Sequence, residues 1–410
     1  MAELRYWIWM NELGINPFWA HQVIRYFGDP QKVYFAEREQ FERVPNLKAR
    51  DIRALCNKNL DHVYKIQDNM QKLGGQILTH QDAMYPQRLR NIEDAPLVLY
   101  VRGKLPVLDD EAAVAIVGTR KCSAYGVAAA TRIASEVVQH GGIVVTGLAT
   151  GVDSAAAHGA LWQEGIVIGV LGCGLDRVYP KDNHWLYEDV LANGALISEY
   201  PPGTAPLGYH FPRRNRIMSG LSVALVAAEI PHRRSGAMIS VKRAVDQGRE
   251  VFLVPANIDA GKSTYSNKLI DEGYQSASSG WRVLQDYVYQ FPKLRPPEEV
   301  AAEMRARSYD AKPFGNVQKK MKELTVADNK ANYAPAKAQT PPPPKAVDIE
   351  ELDVTDDERA VLCALTQESI HIDEIISASN LHARTVNVCL TTLEIAGHIR
   401  QHAGKRYSLG

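Results

Sequence analysis

The chain has 410 residues, with 47 Lys+Arg balanced by 47 Asp+Glu and no net charge. That length exceeds one ordinary core and points to two or three domains, at about 100–200 residues each. The charge balance excludes a protein that coats nucleic acid by bulk positive charge, so any phosphate binding has to come from a local patch. The five cysteines (Cys56, Cys122, Cys173, Cys363 and Cys389) are far apart and form no CxxC pair. Buried thiols in a reducing compartment are expected, with neither a disulfide frame nor a metal site. The amino terminus lacks a signal peptide's long apolar run, and no segment approaches the ~18 uncharged apolar residues of a membrane span. A cytoplasmic protein without membrane contact is expected.

Residues 1–72 read as several short helices, with Leu4, Trp7 and Ile8, then Val23, Ile24 and Phe27, spaced for one buried face. Gly and Pro break them at "LGINPF" and "FGDP". An all-α module of SAM or helix-hairpin-helix type is expected. Asn16 stands where a helix-hairpin-helix has its second glycine, so packing is expected of this turn rather than DNA contact. Within 73–292 the pattern changes. "AVAIVG", "GIVVTG", "IVIGVLG", "GALISE", "SVALVAA" and "REVFLVP" are short apolar runs separated by helix-length segments. Strands apolar on both faces need helices on both sides, which predicts an extended Rossmann-like, doubly wound parallel α/β sheet with its ligand at the carboxyl ends of the strands. Residues 293–350, ending in "TPPPPK", read as a flexible linker with a stiff polyproline spacer. Residues 351–410 read as three helices and a wing turning at Gly404, a winged helix. Its basic residues, Arg384, Arg400, Lys405 and Arg406, are few for sequence-specific readout.

The turns after the strands carry the chemistry. The first, "VGTRKCSAYG", is no dinucleotide fingerprint: Thr119 and Arg120 follow Gly118, and the second strand ends without an acidic residue for a ribose. Arg120 is instead expected to contact an anion directly, aided by Ser123 and the free N–H groups of the next helix. In "TGLATGVDSAAAHGAL", Gly147 and Gly151 frame a loop, and Asp153 reads as a carboxylate at a helix start rather than half of a catalytic pair with His158. The third turn offers Lys181 and His184, with Cys173 in no recognisable nucleophile setting. In "HFPRRNRIMSGL", Pro212 is expected to start a helix whose first turn carries Arg213, Arg214, Asn215 and Arg216. "RRSGAMIS" adds Ser235 and Gly236. Cationic turns collected along one sheet edge fit a polyphosphate chain better than one small nucleotide. Candidates for base stacking are Tyr125, Tyr179, His184, Trp185 and Phe211.

The blocks "TGLATGVDSAAAHGAL", "GVLGCGLDRVYP", "LISEYPPGTAP", "FPRRNRIMSGLS", "GREVFLVP" and "NKLIDEG" occur in order across residues 75–290. In them the chain resembles the DprA/Smf family of DNA-processing proteins. The resemblance implies a homodimer that binds single-stranded DNA and loads the RecA recombinase onto it during natural transformation. It carries the DNA pocket to Arg120, to Lys181 and to the arginines of "FPRRNR"; Gly118, Thr119, Gly147 and Asn267 are expected to contact the strand as well. Thr150 stands where the family usually has arginine, and the residues before Asn267 are altered. No cofactor and no catalytic residue are expected. The competing reading is a Rossmann-like hydrolase of nucleoside monophosphates. Such hydrolases resemble one another in a "PGGxGTxxE" stretch that this chain lacks; Glu199 and Glu229 remain as possible acids, and neither follows a glycine nest.

Overall fold

The computed structural model describes residues 2–310 and 354–409, the latter without 367–368, 380, 396–397 and 403–405. It divides into two compact units, Met1–Lys312 and Pro313–Gly410. In the first, nine strands form one sheet: β1 (Gln76–Thr79), β2 (Val98–Gly103), β3 (Ala113–Gly118), β4 (Ile143–Thr146), β5 (Val167–Leu171), β6 (Gly194–Ser198), β7 (Ala224–Ala228), β8 (Glu250–Leu253) and β9 (Gln275–Ser276). Their order is β1-β2-β6-β5-β4-β3-β7-β8-β9.

The six predicted strands are β3 to β8, and all pair in parallel. Alternate residues of each serve opposite faces: Val114 and Ile116 enter one apolar cluster, Ala115 and Val117 the other. Helices such as Ala124–Gln139 and Val152–Trp162 cover the first face, and His210–Leu221 and Gly236–Asp246 the second. Two strands not singled out in the sequence extend this parallel array at one side. β2 pairs antiparallel with both β6 and β1, which makes the sheet mixed. Parallel strands announce themselves by a helix-length crossover, and β1 and β2 are joined without one of that length.

The amino-terminal helices do not have a core of their own. Trp7, Ile8, Trp9 and Met10 belong to the same apolar cluster as Val114 and Val144 of the sheet. Asn16 caps the helix Pro17–Phe27, its side chain accepting from Phe18 N at 3.0 Å. At this junction the rings of His21 and His80 lie 4.6 Å apart, beside Trp7 and Tyr85. Burial pushes the His80 imidazole down to about 4, assisted by His21 and Arg90. Burial also lowers His21, against its hydrogen bond to Ala95 O and the charge of Asp94.

An unfolded histidine titrates near 6.5. Between about pH 4 and 6.5 the unfolded chain therefore binds more protons here, and stability rises with pH across that window. We expect stability to gain about 1–2 kcal/mol between pH 4.5 and 7 from this pair, a figure reduced for partial solvent exposure. His80→Gln should flatten part of the rise in urea midpoint. Identical pH profiles for the two proteins would rule the pair out.

The stretch read as linker begins as ordered structure. Leu294 and Val300 are buried, Arg295 donates to Gln139 O at 2.8 Å, and Pro297–Asp310 is helical. The proline run lies outside the described residues. The second unit has helices Asp356–Ala364, Ile372–Ser379 and Ala383–Ile395 and a three-stranded antiparallel sheet, Ile370–His371, Ile399–His402 and Arg406–Leu409. This is a winged helix, its first helix opened by a capping box between Thr355 and Glu358. Gly404 and Lys405 lie outside the described residues. No helix among the described residues is long and apolar enough to cross a membrane.

Candidate nucleic-acid interface

β3 and β7 are neighbours whose following strands lie on opposite sides of them, β4 on one side and β8 on the other. Such a reversal opens a crevice beyond the strand ends. Here it holds an open cavity of about 600 Å³, walled by the turns after β3, β4 and β7 and by the helix His210–Leu221. Gly118 ends β3 in contact with β7: a Cβ there would stand 2.1 Å from Ala228 O. Thr119 and Arg120 then enter the cavity wall.

The helix start after β3, where a dinucleotide-binding fold seats its pyrophosphate, is already filled. The Glu229 carboxylate accepts from Ser123 N at 2.8 Å and from the Ser123 hydroxyl. A Cβ on Gly126 would meet Glu229 Oε2 at 2.3 Å. A protein carboxylate thus takes the site that helix dipole and amides offer to an anion. The expectation that Ser123 and these amides bind phosphate is corrected: they serve Glu229.

The arginine segment is helical from His210, two residues before Pro212, which sits harmlessly in the first turn. The three arginines have three destinations. Arg213 is exposed and faces a second, smaller cavity beside Tyr200. Arg214 lines the main cavity yet is only 3 % exposed, donating through Nη1 to Val170 O at 2.8 Å. Its guanidinium lies on Gly147 and faces Asp153. Burial raises the Asp153 carboxyl above the ordinary range, while Arg214 and the amides of Ala149 and Gly147 pull it back. Arg216, also 3 % exposed, pairs with Glu199 at 2.6 Å and Asp94 at 3.3 Å. It is therefore no free phosphate ligand, which corrects the sequence expectation.

Other expected contacts divide similarly. Asn215, Ser235 and Gly236 line the cavity. Ser235 Oγ is buried without a partner at the start of the helix Gly236–Asp246, and a Cβ on Gly236 would meet open space. Lys181 and His184 are exposed on the segment after β5 and lie outside the cavity wall. Asn267 braces its own loop, accepting from Ala256 N at 3.1 Å and donating to Ala256 O at 2.9 Å, and lies outside the cavity wall. Of the ring candidates, Tyr179 and Phe211 form a pair 5.2 Å apart in the wall, with Arg120 over Phe211 at 5.3 Å. Trp185 instead packs on His158, and Tyr125 donates its hydroxyl to Pro255 O. Sequence reasoning passed over His232 and Arg234, both exposed cavity residues. Their signal was the basic run in "PHRRSG", next to the Ser and Gly it did single out.

These features define a class: an extended Rossmann-like protein with a cationic switch-point cavity in place of a dinucleotide fingerprint, carrying a winged helix on the same chain. The family model for DNA recombination-mediator protein A matches residues 76–287, and that for the DprA winged helix domain matches residues 335–405. Protein Smf of Synechocystis sp. is 30% identical over 412 residues, spanning 99% of this chain and 98% of that one. DNA processing protein DprA of Streptococcus pneumoniae is 39% identical over 208 residues, 51% of this chain and 73% of the relative. The X-ray structure of DprA from Streptococcus pneumoniae superposes with a TM-score of 0.60 at 31% identity, covering 71% of this chain and 99% of that one. The chain belongs to the DprA/Smf family of DNA-processing proteins, and with it to DNA processing.

Proposed function

We propose that this protein binds single-stranded DNA without sequence preference by its phosphates, in the switch-point cavity, and hands the strand to the RecA recombinase. The observation that carries the reading is convergence: Arg120 from the turn after β3 and His232, Arg234 and the helix start at Ser235 from the turn after β7 meet at one open cavity, with the buried Arg214 behind its wall. The Tyr179–Phe211 pair in the same wall supplies an aromatic surface for a base. Separate anion contacts with an adjoining ring suit a flexible strand, whereas a duplex hides its base faces. A grip on the backbone leaves base edges free for a recombinase. RecA as partner, a homodimer and a cytoplasmic location rest on the family resemblance.

The reading is non-catalytic. The two candidate acids of a phosphoribohydrolase are engaged elsewhere, Glu199 with Arg216 and Glu229 with Ser123. The test is fluorescence anisotropy of labelled oligo-dT and an equal-length duplex across a salt series. Preferential single-strand binding is expected, and Arg120→Ala and Arg234→Ala should each lower the slope of log K against log salt by about 0.7. Equal affinity for the duplex, or slopes unmoved by both substitutions, would refute it. Release of free base from AMP would refute the non-catalytic part.

A further inference from the structure

Two helices start at the switch point, Ala124–Gln139 after β3 and Gly236–Asp246 after β7. Each start offers an anion free N–H groups and the positive end of a helix dipole. At the first, the anion belongs to the protein. Glu229, only 2 % exposed, accepts from Ser123 N at 2.8 Å through Oε2 and from the Ser123 hydroxyl through Oε1. The second start is open: Ser235 is 9 % exposed, its Oγ has no partner, and nothing lies within 4 Å of a Cβ placed on Gly236. Ser235 and Gly236 both line the main cavity.

The chain goes to some cost to seat the Glu229 carboxylate. Glu229 has φ 54°, in the left-handed region that a residue with a Cβ rarely adopts. Its neighbour pins that backbone: Ile230 N donates to Ser266 Oγ at 2.8 Å, and Ile230 O accepts from Tyr265 N at 3.0 Å. Gly126 leaves the room, since a Cβ there would stand 2.3 Å from Oε2. The helix does not need the carboxylate as a cap, because the Ser123 hydroxyl already accepts from Gly126 N at 3.1 Å. A strained residue held in place by its surroundings beside a ligand cleft points to function. In a doubly wound sheet the diphosphate of a nucleotide is seated at the helix start after the first strand. A carboxylate in that seat takes the donors and repels a second anion. A free nucleotide is left with isolated contacts, whereas the recurring phosphates of a strand reach Arg120, Arg234 and the open helix start together.

We propose that Glu229 is a specificity-determining residue. It is a built-in anion that closes the diphosphate seat after β3 to free nucleotides and leaves the helix start at Ser235 to take one phosphate of the strand. The second half rests on the single-strand reading; the first does not. The test uses the full chain. In calorimetry, ADP should bind Glu229→Gly about tenfold tighter than the wild type, because glycine empties the seat and accepts the left-handed backbone. Glu229→Gln, which keeps the seat filled, should gain much less. A carboxylate with a structural role alone would change melting temperatures and leave ADP affinity unmoved. On the strand side, Ser235→Ala should weaken labelled oligo-dT about fivefold, while Ser123→Ala, which removes a hydroxyl that serves Glu229, should leave it unchanged. These two substitutions are mild and give a readout even if Glu229→Gly fails to fold. Unchanged ADP affinity in a folded Glu229→Gly, or oligo-dT affinity that Ser235→Ala leaves unmoved, would overturn the assignment of the seats. A wild type that binds no oligo-dT would overturn the single-strand reading, and the ADP comparison would then decide the role of Glu229 by itself.

Discussion

Arg216→Ala is expected to cost about 3–5 kcal/mol of stability. Arg216 is almost wholly buried and is held between Glu199 and Asp94, whose side chains are 11 % and 26 % exposed. Removing the guanidinium leaves the Glu199 carboxylate in a poorly solvated place with its counter-charge gone, and that penalty exceeds the worth of the pair itself. The neighbouring Arg213→Ala, at an exposed position, should stay within about 0.5 kcal/mol of the wild type. Urea unfolding followed by tryptophan fluorescence separates the two. A loss below about 1 kcal/mol for Arg216→Ala would mean that the pair relaxes into solvent, and Arg216 would return as a candidate for direct DNA contact.

Gly147→Ala should be damaging for a reason of shape. The added Cβ would stand 1.6 Å from Arg214 Nη1 and 2.3 Å from its Cζ, inside the guanidinium. Arg214 must move, giving up its bond to Val170 O and its position opposite Asp153. We expect a loss of about 3 kcal/mol, the range in which overpacking and a disrupted buried charge pair overlap. Single-strand affinity should fall as well, because Asp153 is then left as an uncompensated negative charge on the cavity wall. Gly236→Ala is the control: nothing lies within 4 Å of its Cβ position, so its melting temperature should be close to that of the wild type. Equal melting temperatures for the two variants would show that Gly147 is not the seat of Arg214.

The doubly wound domain was legible because its signals are local. Each of β3 to β8 is an apolar run of four to six residues followed by a helix-length segment, and the turn glycines sit where strands end. β1 and β2 escaped because an antiparallel edge pair needs no crossover helix to mark it. The helical region reads as a separate module for a similar reason. Its helices look amphipathic one by one, and no local pattern reveals that Trp7 and Met10 share a core with β3.

The site was legible as a neighbourhood and not as a set of contacts. The sequence by itself determined that cationic turns gather at one edge of a helix-covered sheet, because β/α alternation places every such turn at the carboxyl ends of the strands. It also set the spacing of the arginines along one helix. At 3.6 residues per turn, Arg213 and Arg216 fall about 60° apart on one side, and Arg214 lies about 100° from the first and about 160° from the second. Only the tertiary structure decided what each side faces: Glu199, Asp94 and Tyr200 for the first pair, and Val170, Gly147 and Asp153 for Arg214. The same holds for Ser123, whose anion turned out to be Glu229, 106 residues further along the chain. A side chain's type and its place on a helix are properties of the local chain. Whether its charge meets solvent, a ligand or a buried carboxylate depends on segments that folding brings together from far apart.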